Sequence, residues 1–497
     1  MSFLNPPHEV LSIFKKTLKE ITPDPFELAK IHEIISFITA FIENSKIPED
    51  ISIKFIEPQG STGLKQTSLK NTADIDLFIG IDPTIILKHN FSSKKEKKEY
   101  IHSKFKDLTN SWLIPTLKQK GLKNVNMSYA EHPYVSAEFL GFELDIVICF
   151  DVTSEYLQKN GPITSVDRTP HHTRFIRDNI NNKQKDDIRL LKYFFKCYNC
   201  YGDKSALGRS GFIGYSAELL IFYYGSLWNL FQHFGEINSK VIYHPDIFNS
   251  VKNPYKNDPY QKIKTQFFPN DYLIILDPTD INRNVGSSIS ERAFKFIYFQ
   301  VQNFCKKPNI SYFKYHELPS IKALGLSIEQ LSCYFYAIFE EIQEDHYTKY
   351  RDKLYSLMDY VIKKASREKT LEPRFINVIG ELIFDTDTGK YILSFFTESP
   401  KISPEFTRIG PKKNAYAHYK KFKDKHSNAF EENDQLFLIK KRPFTMFRDF
   451  LDYILKKKPI KGLKIIKIGS ATDNEFDEFA GRSMGNLSKN VIPFLQS

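Results

Sequence analysis

Residues 74–79 read Asp74-Ile75-Asp76-Leu77-Phe78-Ile79, and fourteen residues before Asp74 stands the glycine of Pro58-Gln59-Gly60-Ser61-Thr62-Gly63. In the first stretch acidic side chains alternate with apolar ones, the period of a strand. Asp74 and Asp76 are therefore expected on one face while Ile75, Leu77 and Ile79 pack the other. Ahead of Gly60, Ile51, Ile53 and Phe55 alternate with Ser52, Lys54 and Ile56, which predicts a second strand closed by the small-residue turn. A third acid, Asp145, lies within Phe142-Glu143-Leu144-Asp145-Ile146-Val147-Ile148. Flanked by Leu144 and Ile146, it is costly in a core without a partner. Three carboxylates on neighbouring strands make a hard oxygen site suited to Mg²⁺, which takes its remaining ligands from water and substrate phosphates. The amides of the Gly60-Ser61 turn, at the start of a helix, can approach a triphosphate closely.

Working outward, residues 8–45 carry helical spacing in two segments split by Thr22-Pro23-Asp24-Pro25. A helical segment over roughly 94–119 and strands at Asn126–Tyr129 and within Tyr134–Phe150 complete a mixed α/β region. From Asp186 the pattern is helical through Ile188, Leu191, Phe194 and Phe195, followed by a nearly all-apolar helix through Leu219, Leu220, Tyr223, Tyr224 and Leu227. Ser288-Ile289-Ser290-Glu291 has the spacing of a capping box and predicts a helix just after the loop Asp277 to Asn284. Beyond Asp345 we expect further helices, strands Phe375–Phe384 and Tyr391–Phe396 joined by Asp385-Thr386-Asp387-Thr388-Gly389, a strand Gln435–Ile439 and a helix near 444–457. The expected architecture is an α+β multidomain chain: a catalytic head over 1–155 with a mixed sheet, a helical central neck over 156–310, and an α+β body and tail over 311–497.

A length of 497 residues favours several domains, and 41% hydrophobic with 14% aromatic residues excludes a disordered or low-complexity chain. The most apolar stretch, Ala217 to Phe231, is interrupted by Glu218 and Asn229, so no membrane span is expected. The N-terminus lacks the flanks of a secretory signal. Five cysteines without regular spacing do not form a disulfide framework; Cys197 and Cys200 make one C-x-x-C without two further zinc ligands, and Cys149, Cys305 and Cys333 read as core. Together these predict a cytoplasmic protein. The net charge of +11 suits a polyanionic partner such as nucleic acid. The run Lys94 to Lys98 reads as an exposed helix face. The interleaved Lys412, Lys413, Tyr416, His418, Tyr419, Lys420, Lys421, Phe422 and Lys423 suit RNA backbone contacts and base stacking, or equally a solvated surface.

A strand, Gly-Ser, Asp-x-Asp and a later strand Asp resemble the nucleotidyltransferase superfamily that includes DNA polymerase β. The string Ser165-Val166-Asp167-Arg168-Thr169-Pro170-His171-His172 is similar to the block that follows the catalytic domain in archaeal-type (class I) CCA-adding enzymes. Further blocks resemble that family in the same order. They are His132-Pro133-Tyr134; Arg189-Leu190-Leu191-Lys192 with Tyr201-Gly202; Arg209, Gly211-Phe212 and Gly214-Tyr215 with Glu218-Leu219-Leu220; Asp277-Pro278-Thr279-Asp280 with Arg283-Asn284-Val285; and, more weakly, Gly410-Pro411. The resemblance implies a polymerase-β-like head. The implied reaction is template-independent addition of C, C and A to the 3′ end of tRNA lacking or with incomplete CCA, from CTP and ATP, with release of pyrophosphate. By the same resemblance Asp74, Asp76 and Asp145 are catalytic and hold two Mg²⁺ ions; Gly60, Ser61, Lys65, His172, Lys192 and Tyr201 hold the nucleotide; the tail grips the tRNA; and the enzyme is a homodimer.

Some assignments stay open. His171 competes with His172, and Lys192 and Tyr201 could be ordinary helix-surface and cap residues. The family commonly places an arginine four residues after the turn glycine, where Lys65 is the likeliest equivalent and one extra residue separates Gly60 from Asp74. Lysine lacks the fork geometry of arginine. Arg283 is the candidate for reading the base. A guanidinium only donates, and can face cytosine N3 or adenine N1 but not the N–H of uracil or guanine; the alternative is a structural salt bridge to Asp277 or Asp280. The competing functions are a poly(A) or oligoadenylate polymerase of the same superfamily and a non-catalytic RNA-binding relative.

Overall fold

The computed structural model describes residues 5–72, 74–129, 132–202, 211–243, 260–343, 347–385 and 388–494. Arg209 of the third family block and Thr386-Asp387 of the expected turn lie outside the described residues. The chain forms two compact units, the first ending at His316 and the second beginning at Glu317.

The first unit is built on a five-stranded mixed sheet, in the order β1 (Ile53–Pro58), β2 (Ile75–Ile81), β5 (Phe142–Phe150), β4 (Pro133–Phe139), β3 (Lys123–Tyr129). β2 and β5 run parallel, and every other neighbouring pair is antiparallel. Side-chain alternation divides the sheet. Ile75, Leu77, Ile79 and Ile81 join Leu144, Ile146, Ile148 and Phe150 in one large core. That core is covered by Ile31, Ile34, Ile38 and Ile42 of helix α2 (Pro25–Glu43) and by Ile101, Phe105 and Leu108 of α3 (Lys94–Leu108). On the other face a small cluster of Phe78, Val147 and Cys149 leaves room for acids. Asp24 caps α2 by accepting from Glu27 N, with Pro25 at the first helical position. The preceding helix, α1 (His8–Ile21), packs Phe14 against Phe304 and Phe313, far along the sequence.

Helices α4 (Thr169–Asn179), α5 (Asn182–Cys197), α6 (Gly214–Tyr224) and α7 (Glu291–Lys306) supply the helical part of this unit. Three local expectations are corrected. The apolar run is two helices, because Gly225 at φ +76° ends α6 before Leu227–Gln232 begins. The stretch Asp277 to Asn284 is a hairpin rather than a loop: β7 (Ile274–Asp277) pairs with β8 (Asp280–Asn284), and β6 (Val241–Ile242) joins β7 in parallel. The cap of α7 is Ser290, accepting from Ala293 N, not Ser288.

The second unit holds a four-stranded antiparallel sheet in the order β10 (Ile379–Asp385), β11 (Lys390–Phe396), β9 (Tyr334–Glu341), β15 (Leu463–Ser470). Helices α8 (Tyr347–Ser366) and α10 (Phe447–Lys457) cover it through Tyr350, Leu354, Val361, Phe447 and Leu451, with α9 (Tyr416–Lys425) lying between them in sequence. A smaller sheet orders β12 (Glu405–Lys412), β14 (Gln435–Lys441), β13 (Phe430–Glu432). β9 was not expected from sequence. Its first six residues are buried, so it reads as an uninterrupted apolar run without the alternation that identifies a half-exposed strand.

All five cysteines are free thiols; Cys149, Cys197 and Cys200 are buried, but Cys305 and Cys333 are only partly so, which corrects their reading as core. Lys94, Lys95 and Lys98 are exposed, as expected of a solvated face. No helix among the described residues is long and apolar enough to cross a membrane.

Gly80 on β2 faces Phe55 on β1, and a Cβ there would fall 2.1 Å from the Phe55 ring. The ring is itself covered by Arg174 at 4.7 Å, which Glu57 holds through two hydrogen bonds of 3.1 and 3.2 Å. Gly80→Ala is expected to lower stability by about 1–3 kcal/mol, seen as a lower urea midpoint at unchanged m-value.

Candidate active site

Where β1 ends, the chain turns sharply over residues 60–65. Gln59 N donates to Asp76 O at 2.7 Å, and Thr67 N donates to Ser61 O at 2.8 Å, so the turn is sewn to β2 and to its own exit. Gly60 sits at φ +67°, and a Cβ there would meet Asp76 Oδ2 at 2.3 Å. Only glycine permits both the backbone twist and this approach to a carboxylate. Contrary to expectation, no helix follows the turn; residues 66–69 are extended or irregular.

β2 and β5 bring the acids together. Their parallel register sets Asp76 beside Asp145, on the sheet face opposite the large core. Asp74 lies one residue before β2 and is exposed, so it belongs to the approach to the strand rather than to the strand itself. Burial first, then the charges of Asp145 and Asp74, push the Asp76 carboxyl up to about 7, while Lys65 pulls it down. Among the described residues, no group of three or more His, Cys, Asp or Glu side chains is gathered tightly enough to hold a metal ion. The three acids thus share a field rather than a ready-made coordination sphere. The oxygen donor set is nevertheless one that a hard divalent cation takes.

The cations meet on Glu218, buried in α6. Lys65 Nζ reaches Glu218 Oε2 at 2.8 Å; Lys192 Nζ, from α5, reaches Glu218 Oε1 at 2.8 Å. Thr67 Oγ1 donates to Glu218 Oε1 at 2.9 Å and accepts from Lys192 at 2.9 Å. With two ammonium groups around it, the Glu218 carboxyl is held down at about 2 against the opposing effect of burial. Lys192 is therefore a buried network residue and not a helix-surface lysine. Tyr201 converges on the same place: a Cβ at Gly214 would lie 3.2 Å from Tyr201 Oη and 3.7 Å from Lys192 Nζ. Burial, with Glu218 nearby, raises the Tyr201 phenol well above its usual range, keeping it a hydrogen-bond donor.

A second buried acid organises the remaining residues. Asp277 Oδ2 lies 2.7 Å from His172 Nε2 and 3.1 Å from Arg283 Nη1; Tyr215 Oη donates to Oδ1 at 3.0 Å. The His172 ring stacks on Tyr215 at 4.2 Å, and Lys65 Nζ stands 5.2 Å from the Tyr215 ring centre, joining the two clusters. Arg283 thus makes the salt bridge that the sequence left as its alternative, with Asp277; Asp280 is taken by Arg168 at 2.8 Å. Its side chain is still 32% exposed. The two histidines part company: His171 Nε2 bonds Val152 O at 2.9 Å, whereas His172 joins the cluster.

Sequence reasoning assigns no role to Thr67, Tyr215 or Glu218, and gives Asp277 only as a salt-bridge partner of Arg283. A signal existed for one of them, since Glu218 lies in the otherwise apolar run Tyr215–Tyr224 and a buried acid there requires cations.

Comparison with known proteins bears on the family of the chain. Residues 186–314 match the family model "tRNA nucleotidyltransferase, second domain". The chain is 30% identical over 453 residues to the CCA-adding enzyme of Methanocaldococcus jannaschii, a match that covers 88% of this chain and 90% of that protein. Matches to the CCA-adding enzymes of Pyrobaculum neutrophilum (28% over 314 residues; 63% of this chain, 65% of that protein) and Pyrococcus abyssi (30% over 304 residues; 60% of each) are shorter. With the sheet, the turn and the buried cation network already in place, the long match shows that the chain belongs to the CCA-adding enzymes and is a tRNA nucleotidyltransferase.

Proposed function

We propose that the enzyme adds C, C and A to the 3′ end of tRNA lacking or with incomplete CCA, using CTP and ATP without a template. The observation that carries this reading is the juxtaposition of Asp76 and Asp145 beside Gly60, with Lys65, itself bonded to Glu218, acting on Asp76. The ribose 3′ oxygen bonds to the α-phosphorus, the bond from that phosphorus to the bridging oxygen breaks, and pyrophosphate leaves with the hydroxyl proton released. Asp74, Asp76 and Asp145 would hold two Mg²⁺ ions, which when bound polarise the α-phosphate and acidify the attacking hydroxyl. Lys65, Lys192 and Tyr201 present cationic and hydroxyl donors to triphosphate oxygens, with Gly60 and Ser61 letting the phosphates approach the backbone. His172 bounds the same region, and Arg283 favours bases with an acceptor at the pairing edge. In the second unit, Lys412, Lys413, Tyr416, Lys420, Lys421 and Lys423 are exposed, Tyr416 by 71%, and offer phosphate contacts and a stacking surface. Tyr419 is buried against Glu431 and takes no part. A cytoplasmic homodimer is the expected working form.

Purified protein, tRNA truncated before CCA, Mg²⁺ and each labelled NTP supplied singly test the reading. Incorporation of C alone, then of A once two C residues are present, is expected. Long A tails would instead indicate a poly(A)-type polymerase, and tRNA binding without incorporation a binding module.

Three variants sharpen it. Asp76→Asn and Asp145→Asn are expected to lower incorporation by on the order of 10²–10³-fold with tRNA affinity unchanged in a filter-binding assay. Arg283→Ala is expected to lose discrimination against U and G; wild-type selectivity and efficiency in that variant would end its base-reading role.

Titration supplies a further check. Asp76 binds its proton more tightly folded, at about 7, than its ordinary 3.8, so its contribution to stability is full below pH 3.8 and is lost as pH rises to 7. Asp167 and Asp187, each raised to about 6 by burial, act in the same direction at lower pH and account for a smaller part of the loss between pH 6 and 7. In EDTA, urea stability is therefore expected to fall between pH 6 and 7, and Asp76→Asn to flatten that fall.

A further inference from the structure

Asp277 closes β7 and is wholly buried, and its two oxygens have different duties. Oδ1 accepts from Thr279 N at 2.9 Å, from Thr279 Oγ1 at 2.8 Å and from Tyr215 Oη at 3.0 Å. Those bonds fix the carboxylate to the hairpin turn and to α6. Oδ2 is shared by the two residues proposed to meet the nucleotide, with His172 Nε2 at 2.7 Å and Arg283 Nη1 at 3.1 Å. A ring nitrogen and a carboxylate oxygen at 2.7 Å need a hydrogen between them, so Nε2 carries the proton. Arg283 Nη1, 3.1 Å from that same nitrogen, then finds no lone pair on it and donates to Oδ2. Tyr215 completes the constraint by stacking on the His172 ring with an interplanar angle of 21°.

We propose that Asp277 is a positioning residue that ties the side chain beside the triphosphate, His172, to the side chain that reads the base, Arg283, through one carboxylate oxygen. The inference deepens the reading given above and rests on it. A guanidinium selects an acceptor edge only while its fork points one way. Here one Nη is pinned by Oδ2, whose direction is set jointly by His172 on Oδ2 itself and by the three donors on Oδ1. Loosening either ligand-facing partner frees Oδ2 to turn, so the aim of Arg283 depends on His172 although the two contact different parts of a nucleotide.

The test measures single-nucleotide incorporation of C, A, U and G. Asp277→Asn keeps the size of the side chain and removes its charge. It is expected to lower the ratio of C and A over U and G by about tenfold or more, and to raise KM for CTP and ATP more than it lowers kcat. The double variant Asp277→Asn/Arg283→Ala is expected to discriminate no worse than Arg283→Ala alone. Thr279→Val removes one donor from Oδ1 and is expected to lower the melting temperature while keeping the ratio, which separates positioning from general loosening. Should Asp277→Asn fail to fold, His172→Ala carries the test: a triphosphate contact alone raises KM for every nucleotide equally, whereas the tie lowers the ratio. An unchanged ratio in His172→Ala or in folded Asp277→Asn, with Arg283→Ala having lost discrimination, overturns the proposal and leaves the base-reading role standing. Wild-type discrimination in Arg283→Ala means that the underlying reading has failed.

Discussion

Two carboxylates on adjacent parallel strands, side by side and partly withdrawn from water, repel each other, and the rest of the site is arranged around that repulsion. Asp76 and Asp145 share a register position, and burial, with the Asp145 charge beside it, pushes the Asp76 carboxyl up to about 7. A core would exclude such a pair. It survives because the hydrophobic work of the sheet is done on the opposite face, where Ile75, Leu77, Ile79 and their β5 counterparts pack beneath α2 and α3. Gly60 lets the backbone itself close over Asp76, adding amide dipoles where a side chain would add bulk.

The positive side of the site is managed by the reverse device. Lys65 and Lys192 are buried, and each is neutralised in part by Glu218, while Arg283 and His172 share Asp277. A buried ion pair is weak evidence of stability but strong evidence of fixed geometry, because breaking one partner leaves a charge without solvent. Around Glu218 there are two cations to one anion, a surplus suited to an arriving polyanion. The site is therefore rigid in its cations and under electrostatic tension in its acids.

Legibility in the sequence followed burial. Strands in which polar and apolar residues alternate over part of their length declare themselves: β1, β2 and β5 fall within two residues of the sequence reading, and Asp76 and Asp145 with them. β9, buried along its first six residues, gave no period to read. The hairpin of β7 and β8 reads as a loop in sequence because Asp277-Pro278-Thr279-Asp280 looks like a turn and its strands are short. Ser288 and Ser290 both had capping chemistry, and only the geometry of the chain chose between them. The pairings that define the site, Glu218 with Lys65 and Asp277 with His172, join residues far apart in sequence, and no local pattern announces them.

The parallel pairing of β2 and β5 has a consequence for synthesis on the ribosome. Strands that run the same way need a long crossover before they can meet, so Asp76 stays alone until α3, β3 and β4 have emerged and the chain has doubled back. Glu218 and Asp277 emerge later still. A nascent or prematurely terminated chain that stops short of the hairpin lacks Asp277 and Arg283, and with them the cluster around His172. The full set of contacts in the site can therefore form only after translation has passed the hairpin.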